Sequence, residues 1–270
     1  MVKKFKLTKG INHCTNEQYH GDNGYLSSSN LKLLLKDPEK FKHEILDGNR
    51  VNKQVNAFDE GNYAHSLILE PHTIPDEYAF FPGFRKMGKD WDEFKLKNSD
   101  KIMLSKPQKH RVERWVEAYS KRPEAVSLIS GGEAELSVAG DLAGVPVKVR
   151  ADYINVDKGY IADVKTTAYS PELDSFKYVV NSLNYDLSAA LYCKMFGQEF
   201  NKKFDFYFIV LGKRDIVCEV YKASEETLRG GELLVMEALS KYKKCKESGI
   251  WTTEQSCAII ETGDYEILEV

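Results

Sequence analysis

The chain has 270 residues, of which 42% are hydrophobic and 29% charged, with 18 Gly and 8 Pro. This composition is typical of a globular protein of one large or two small domains, and it excludes a fibrous or disordered chain. The longest apolar runs are far shorter than a membrane helix, and the N terminus lacks a signal-peptide stretch, so we expect a cytoplasmic protein with no membrane partner.

Charge and cysteine spacing narrow the expected partners. The formal net charge is −3, yet residues 85–114 hold ten Lys or Arg against five Asp or Glu, with aromatic residues among them. Such a segment either follows a phosphate backbone or forms a solvated surface. The five scattered cysteines contain no CxxC pair, which predicts free thiols rather than disulfides or a zinc site.

The first half of the chain is predicted to be mainly helical. Residues 1–25 show no clear period and are interpreted as an N-terminal arm. Capping residues over 27–30 predict a short helix that ends or restarts at Pro38. Apolar spacing predicts helices over 54–69 and 107–120. The Pro- and Gly-containing segment over 72–105 predicts an extended connection with short helices.

The second half is predicted to contain the sheet. Strands are expected over 133–139, 145–156 and 160–166, and the turn sequences between them predict an antiparallel meander. Then come a helix over 175–196, strands over 204–211 and 216–221, and a helix over 225–247.

These elements predict an α/β fold of the α+β kind, with a central mixed sheet that begins with the meander and is flanked by helices. We expect one domain over 1–270. It consists of the arm, a helical N-terminal part over 26–130 that includes the basic segment over 85–114, an α/β core over 131–250 and a tail over 251–270.

Acidic and basic side chains are predicted to converge on two neighbouring strands. Alternation places Lys148, Arg150 and Asp152 on one face of the second strand. By the same rule Asp163 and Lys165 share a face of the third strand, at a height comparable to Asp152. Converging carboxylates repel one another unless a cation separates them, and their oxygens suit Mg²⁺ or Mn²⁺. An exposed ion-pair face on an edge strand is the alternative.

The same residues match the signature of a known nuclease superfamily. Asp152 followed by Asp163-Val164-Lys165 resembles the D…(D/E)xK pattern of restriction-endonuclease-like nucleases. Gly61-Asn-Tyr-Ala-His65 resembles the GxxxH helix motif of the RecB-type branch. A lysine beside a bound metal can orient a water or stabilise negative charge on a phosphate.

Further motifs narrow the resemblance. The segments 135–138, 150–152 and 163–167 look like the nuclease domain of RecE (exodeoxyribonuclease VIII), including its phage-encoded relatives. Residues 26–31, followed by Asp37-Pro38, resemble the first helix of that group. The resemblance therefore covers most of residues 25–195 and implies a restriction-endonuclease-like core.

The resemblance assigns roles to individual residues. It implies that Asp152 and Asp163 bind the catalytic metal, and that His65 and the carbonyl of Val164 are further ligands. Lys165 would assist the attacking water. An additional acid is expected from the first strand of the meander. Glu135 would complete or support the acidic cluster, and Glu133 has the same strand parity and stays an alternative.

The helix after the third strand carries Tyr185, Ser188 and Tyr192 on one face. RecB-type nucleases usually show QxxxY, and Ser188 stands at the glutamine position, so an amide contact is lost or made through water. The tyrosines either support the site or form an aromatic core stripe. The clustered cysteines of the iron-sulfur nucleases are missing, which places the chain with the cluster-free members.

The function implied by the resemblance is a Mg²⁺- or Mn²⁺-dependent exonuclease that digests linear duplex DNA from 5′ ends and produces single strands for recombination. Lys148 and Arg150 would contact phosphates or pair within the cluster. A nicking or structure-specific endonuclease and a catalytically weak DNA-binding module are the alternatives. A single-strand annealing protein and a closed homo-oligomeric ring are implied partners.

Overall fold

The computed structural model describes residues 5–50 and 56–252. Residues 1–4 of the predicted arm, Cys257 and the predicted tail from residue 253 onward lie outside the described residues. The α-helices are α1 (Asn16–Gly21), α2 (Ser28–Lys36), α3 (Pro38–Phe41), α4 (Asn56–Leu69), α5 (Ile74–Glu77), α6 (Lys89–Lys97), α7 (Lys106–Ser120), α8 (Pro123–Leu128), α9 (Leu173–Ser182), α10 (Tyr185–Phe200) and α11 (Glu225–Ser248). The strands are β1 (Gly10–Asn12), β2 (Tyr78–Phe81), β3 (Ile102–Ser105), β4 (Glu133–Ala134), β5 (Ser137–Leu142), β6 (Val145–Arg150), β7 (Tyr153–Asn155), β8 (Tyr160–Thr167), β9 (Asp205–Gly212) and β10 (Cys218–Lys222).

The central sheet is mixed, as predicted. Its strand order is β10-β9-β8-β7-β4, and only the β8–β9 pair within it is parallel. A hairpin cannot join two parallel strands. Helices α9 and α10 form the crossover connection between β8 and β9. A second sheet has the order β1-β5-β6. The predicted fold class is confirmed.

The predicted meander is correct in strand order but wrong in continuity. Its first strand is divided into β4 and β5, and its second into β6 and β7. Glu135 lies at the break with a left-handed φ of 57°. Its backbone N–H donates to the Asp152 carbonyl at 3.0 Å, so the two strands stay joined through the bend. As in a β-bulge, an irregular residue turns both strands, here from one sheet into the other.

Three further predictions needed correction. The helix expected over 175–196 is divided into α9 and α10, because Asn184 adopts a left-handed conformation with φ of 48°. The connection over 72–105 contains the parallel strands β2 and β3 besides short helices. Within the predicted arm, β1 pairs with β5.

The remaining helices follow the prediction. The segment over 54–69 forms α4 from residue 56 onward, while residues 54 and 55 lie outside the described residues. The helices predicted over 107–120 and 225–247 are confirmed as α7 and α11. Ser27 caps α2 and exchanges hydrogen bonds with Asn30, and the chain restarts as α3 at Pro38.

Apolar side chains pack on both faces of the central sheet. One cluster joins Ile161 of β8 and Phe208 of β9 to helices α2, α9, α10 and α11. The other joins Ala162 and Val164 of β8 to α4 and α7. Burial of these apolar surfaces on either side of the sheet is the main force that holds the layers together.

Among the described residues, no helix is both long and apolar enough to span a lipid bilayer. Cys14, Cys193, Cys218 and Cys245 are free thiols, as predicted for this part of the chain.

Candidate metal centre

Strand β8 carries the Asp163–Lys165 pair into the interior. The residues between and beside them, Ala162 and Val164, face the α4 side of the sheet. Alternation therefore turns Asp163 and Lys165 toward α10. Asp163 is buried, and its carboxylate forms an ion pair with the half-buried ammonium of Lys165.

The strand bend supplies two more carboxylates. Asp152 lies between β6 and β7, where its Oδ2 accepts a 2.8 Å hydrogen bond from the backbone N–H of Val164. Glu135 lies on the opposite side of the same bend and forms an ion pair with Arg150. Since neither residue lies within a regular strand, the bend rather than strand alternation decides where their side chains point.

Helix α4 adds an imidazole to these carboxylates. His65 Nδ1 lies 3.4 Å from Asp152 Oδ2. Ligand atoms of His65, Glu135 and Asp152 all lie within 4.8 Å of one another. Gly61, one turn earlier on α4, faces β8: a Cβ at this position would lie 3.6 Å from the Thr166 hydroxyl. The GxxxH segment thus brings α4 into contact with the strand that carries Lys165.

Two carboxyl groups of the cluster, those of Glu135 and Asp163, have pKa values above their ordinary range. Burial, followed by the charge of Asp152, raises the pKa of Glu135 to about 7, although Arg150 opposes the rise. Burial also raises the pKa of Asp163, with Lys165 opposing and Asp152 adding to this shift. Carboxylates shifted in this way are stabilised by an additional cation.

The pKa of Lys165 is also raised, but for an ammonium this shift favours the charged form. Burial lowers the pKa of its ammonium, but the neighbouring Asp163 and Asp152 outweigh burial, so the pKa lies above its ordinary value. Lys165 therefore remains protonated at neutral pH, which suits a charge-stabilising role and not that of a general base.

The donor set fits a divalent metal. His65 offers an imidazole nitrogen, and Glu135 and Asp152 offer carboxylate oxygens. Carboxylate oxygens suit Mg²⁺ and Mn²⁺, while imidazole is the preferred ligand of transition metals. Asp163, also expected as a ligand, lies outside this group of three donors, and its carboxylate forms the ion pair with Lys165. Val164 is in contact with the site through its N–H, and its expected carbonyl ligation stays a prediction.

The structure separates the two glutamates that spacing left open. Glu133 is exposed, and its Oε1 lies 3.1 Å from Nδ1 of His13. Glu135 is the one beside His65 and Asp152. Strand parity failed here because it assumes a continuous strand, whereas the chain bends at Glu135.

Lys148 and Arg150, the two cations predicted on the second strand, bind other groups of the protein. Lys148 is buried, and its Nζ donates to the carbonyls of Tyr19 at 2.6 Å and Asp22 at 2.5 Å. Arg150 binds Glu135 and donates to the Cys14 carbonyl at 3.1 Å. Lys148 thus has an internal role in which two of its three N–H donors bind carbonyls, and its phosphate contact stays a prediction. Arg150 instead orients Glu135.

Helix α10 places its aromatic residues beside the ion pair. The Nζ of Lys165 lies 5.2 Å from the centre of the Tyr185 ring. Tyr192 packs edge-on against Phe206. Ser188 lies half-buried between the two tyrosines on the same helix. Tyr185 and Tyr192 also pack against the main core, and their role in the site stays a prediction.

One cation near the site was not found from the sequence. Lys32 of α2 has its Nζ 5.0 Å from the centre of the same Tyr185 ring. The only available signal was the resemblance of residues 26–31 to the first helix of the nuclease group, which ends one residue earlier.

Solved structures include one with the same fold. A protein described as a "putative exonuclease" from Eubacterium rectale has 17% sequence identity and a TM-score of 0.66, with 94% of this chain and 97% of that chain covered. A second structure, SSO0001, has 17% identity and a TM-score of 0.27 over 46% of this chain and 70% of its own. The comparison with curated proteins found no match.

The family comparison covers almost the whole chain. A family model described as a PDDEXK-like domain of unknown function matches residues 27–262. This span includes His65, the strand bend and the Asp163–Lys165 pair. The match supports the PD-(D/E)XK nuclease superfamily inferred from the sequence. The chain belongs to the PDDEXK-like family DUF3799.

Proposed function

We propose that this protein is a metal-dependent DNA exonuclease that hydrolyses phosphodiester bonds of linear duplex DNA. The observation that carries the proposal is the convergence of His65, Glu135 and Asp152 beside the Asp163–Lys165 ion pair. A centre with several carboxylates and a lysine suits phosphodiester hydrolysis, because a bound metal ion and the ammonium stabilise the negative charge that develops on the phosphate.

His65, Glu135 and Asp152 would hold the metal, with Asp163 as a further donor when Lys165 moves toward substrate. Bound Mg²⁺ or Mn²⁺ supplies Lewis acidity and a water of lowered pKa. The Val164 N–H fixes one oxygen of Asp152, and Arg150 fixes Glu135, so the acids are oriented before any ligand arrives. Lys165 holds its proton at Nζ and offers hydrogen bonds to a phosphate oxygen.

The finer parts of the proposal rest on the resemblance to the RecE-type group. They are 5′ to 3′ direction, a role in recombination, an annealing-protein partner and a closed ring of subunits. The description of the Eubacterium rectale neighbour as an exonuclease supports an end-dependent activity.

The test compares linear and covalently closed duplex DNA with Mg²⁺, with Mn²⁺ and with chelator. We expect metal-dependent loss of the linear form only, with mononucleotides released first from a 5′-labelled strand. Cleavage of closed circles would contradict the exonuclease. Release from the 3′ label first would contradict the direction.

Matched variants identify the site in the same assay. Asp163→Ala and Lys165→Ala should each lower the rate at least about 100-fold. Asp157→Ala and Lys158→Ala change the same residue types at exposed positions between β7 and β8, and should leave the rate unchanged. Full activity of Asp163→Ala and Lys165→Ala, or activity in chelator, would contradict the proposed centre.

A further inference from the structure

Helix α2 brings a second ammonium to the face of Tyr185. Lys32 Nζ lies 5.0 Å and Lys165 Nζ 5.2 Å from the centre of that ring. Helix α2 begins at the Ser27 cap, and its Leu31 and Leu34 pack in the main core together with residues of α10. Lys32 therefore occupies a defined position one helical turn beyond Ser28.

The two lysines differ in their partners. Lys165 forms an ion pair with Asp163. Over residues 5–50 and 56–252, Lys32 has no hydrogen bond or ion pair, and only the ring contact with Tyr185. Burial and then the charge of Lys165 lower the pKa of Lys32 to about 8, while the charges of Asp163 and Asp186 oppose this shift.

A half-buried ammonium without a hydrogen bond or ion pair to the described residues is unfavourable in the free protein. The cations predicted from the sequence, Lys148 and Arg150, bind carbonyl and carboxylate groups of the fold. Lys32 is different, because its three donors remain available beside the centre. An anion would satisfy them, and the nucleic-acid substrate of the proposed nuclease is a chain of phosphates.

We propose that Lys32 is a second phosphate-binding cation of the site, which contacts a phosphate oxygen of the DNA strand that lies across Tyr185. The inference rests on the proposed function and names a substrate contact for it. Lys32 would hold the backbone through this phosphate, while Lys165 acts at the bond that is cleaved.

The test measures DNA binding rather than cleavage. Fluorescein-labelled duplexes are titrated by anisotropy over a series of NaCl concentrations, with chelator and separately with Ca²⁺. Lys32→Gln should weaken binding about tenfold and lower the slope of log K against log [salt] by about 1. Lys32→Met should behave like Lys32→Gln. Lys32→Arg, which keeps the charge, should retain the slope.

Lys36→Gln is the control, because Lys36 is an exposed lysine on the same helix. It should change neither affinity nor slope. Wild-type binding by both Lys32→Gln and Lys32→Met would overturn the proposal, as would an equal effect of Lys36→Gln or the absence of DNA binding by the wild type. Thermal unfolding checks the fold: the uncharged variants should unfold no earlier than wild type, since they remove an unpaired charge.

Two substrate arms locate the phosphate. An affinity loss confined to 5′-phosphorylated duplexes identifies the terminal phosphate, whereas an equal loss on 5′-hydroxyl duplexes identifies an internal phosphodiester. Either result supports a phosphate contact. Failure of the wild type to cleave DNA in the earlier assay would overturn the nuclease and still leave this binding result readable.

Discussion

Among single residues, the Asp163–Lys165 pair matters both for the stability of the fold and for the proposed reaction. Asp163 is 5% exposed, so its charge depends on the ammonium beside it. Removing one member of a buried ion pair leaves the other uncompensated, which costs more than the pair contributes. The residues that carry the proposed reaction are therefore also sensitive points of the fold.

Lys165→Met is expected to lower the free energy of unfolding by about 3 kcal/mol and cleavage by at least about 100-fold. The double variant with Asp163→Asn should recover stability without activity, because no unpaired charge remains. Urea unfolding and the nuclease assay measure the two effects. Lys158→Met is the exposed control. Recovery of activity in the double variant would show that the pair is structural only.

Glu135 makes a prediction about pH. Its pKa is raised to about 7 by burial and by Asp152, so the folded state binds its proton more tightly than the unfolded state. Stability of the metal-free protein should therefore fall as pH rises through the interval from about 4.5 to 7, on the order of 2 kcal/mol for this group.

Urea unfolding at several pH values in chelator tests this. Glu135→Gln should flatten the decline, because the amide does not titrate. Glu133→Gln, two residues away and exposed, should leave the decline as in wild type. An equal slope in wild type and Glu135→Gln would contradict a raised pKa at Glu135.

At the scale of elements, close helix packing positions the tyrosine face of α10. Gly231 lies on α11 where a Cβ would overlap the backbone carbonyl of Asp186 and lie 2.9 Å from the Ala190 Cβ. Asp186 follows Tyr185 directly, so α11 packs closely against the first turn of α10, next to Tyr185. The preceding Gly230 has open space around its Cβ position.

These neighbouring glycines form a matched pair of variants. Gly231→Ala should destabilise the protein by about 2 kcal/mol, because backbone cannot move aside as a flexible side chain can. Gly230→Ala should stabilise it by about 0.5–1 kcal/mol through helix propensity. Thermal and urea unfolding measure both. Similar effects of the two substitutions would contradict the close contact between α10 and α11.

At the scale of the whole molecule, the candidate metal centre joins separate layers. His65 comes from α4, which packs on one face of the central sheet, whereas Asp152 and Glu135 come from the bend between the two sheets. A ligand that binds all three residues requires those parts to be assembled. Ion binding is therefore coupled to global folding.

Mg²⁺ or Mn²⁺ should raise the unfolding midpoint, with a gain of about 2.7 kcal/mol when the ion is at 100 times its dissociation constant. His65→Ala should remove most of this shift, since it deletes one donor. His72→Ala removes an exposed histidine outside the cluster and should keep the shift. Differential scanning fluorimetry with and without chelator measures it. An undiminished shift in His65→Ala would mean that the ion binds elsewhere.

Much of the architecture followed from local chemistry. Apolar periodicity identified α4, α7 and α11, and alternation correctly put Asp163 and Lys165 on one face of β8, because that strand is regular over its whole length. The Asp-Val-Lys and Gly-x-x-x-His motifs indicate a metal centre. These features depend on neighbours in sequence, so they can be predicted without knowledge of the tertiary packing.

Other positions depend on contacts between residues that are distant in the chain. The bend at Glu135 directs Glu133 away from the metal centre, and packing of the N-terminal segment buries Lys148. Neither effect is visible in the sequence. Lys32 reaches Tyr185 because α2 lies against α10, a contact between helices more than 150 residues apart. Backbone bends and long-range packing follow no short period, and so these positions could be assigned only once the layers were assembled.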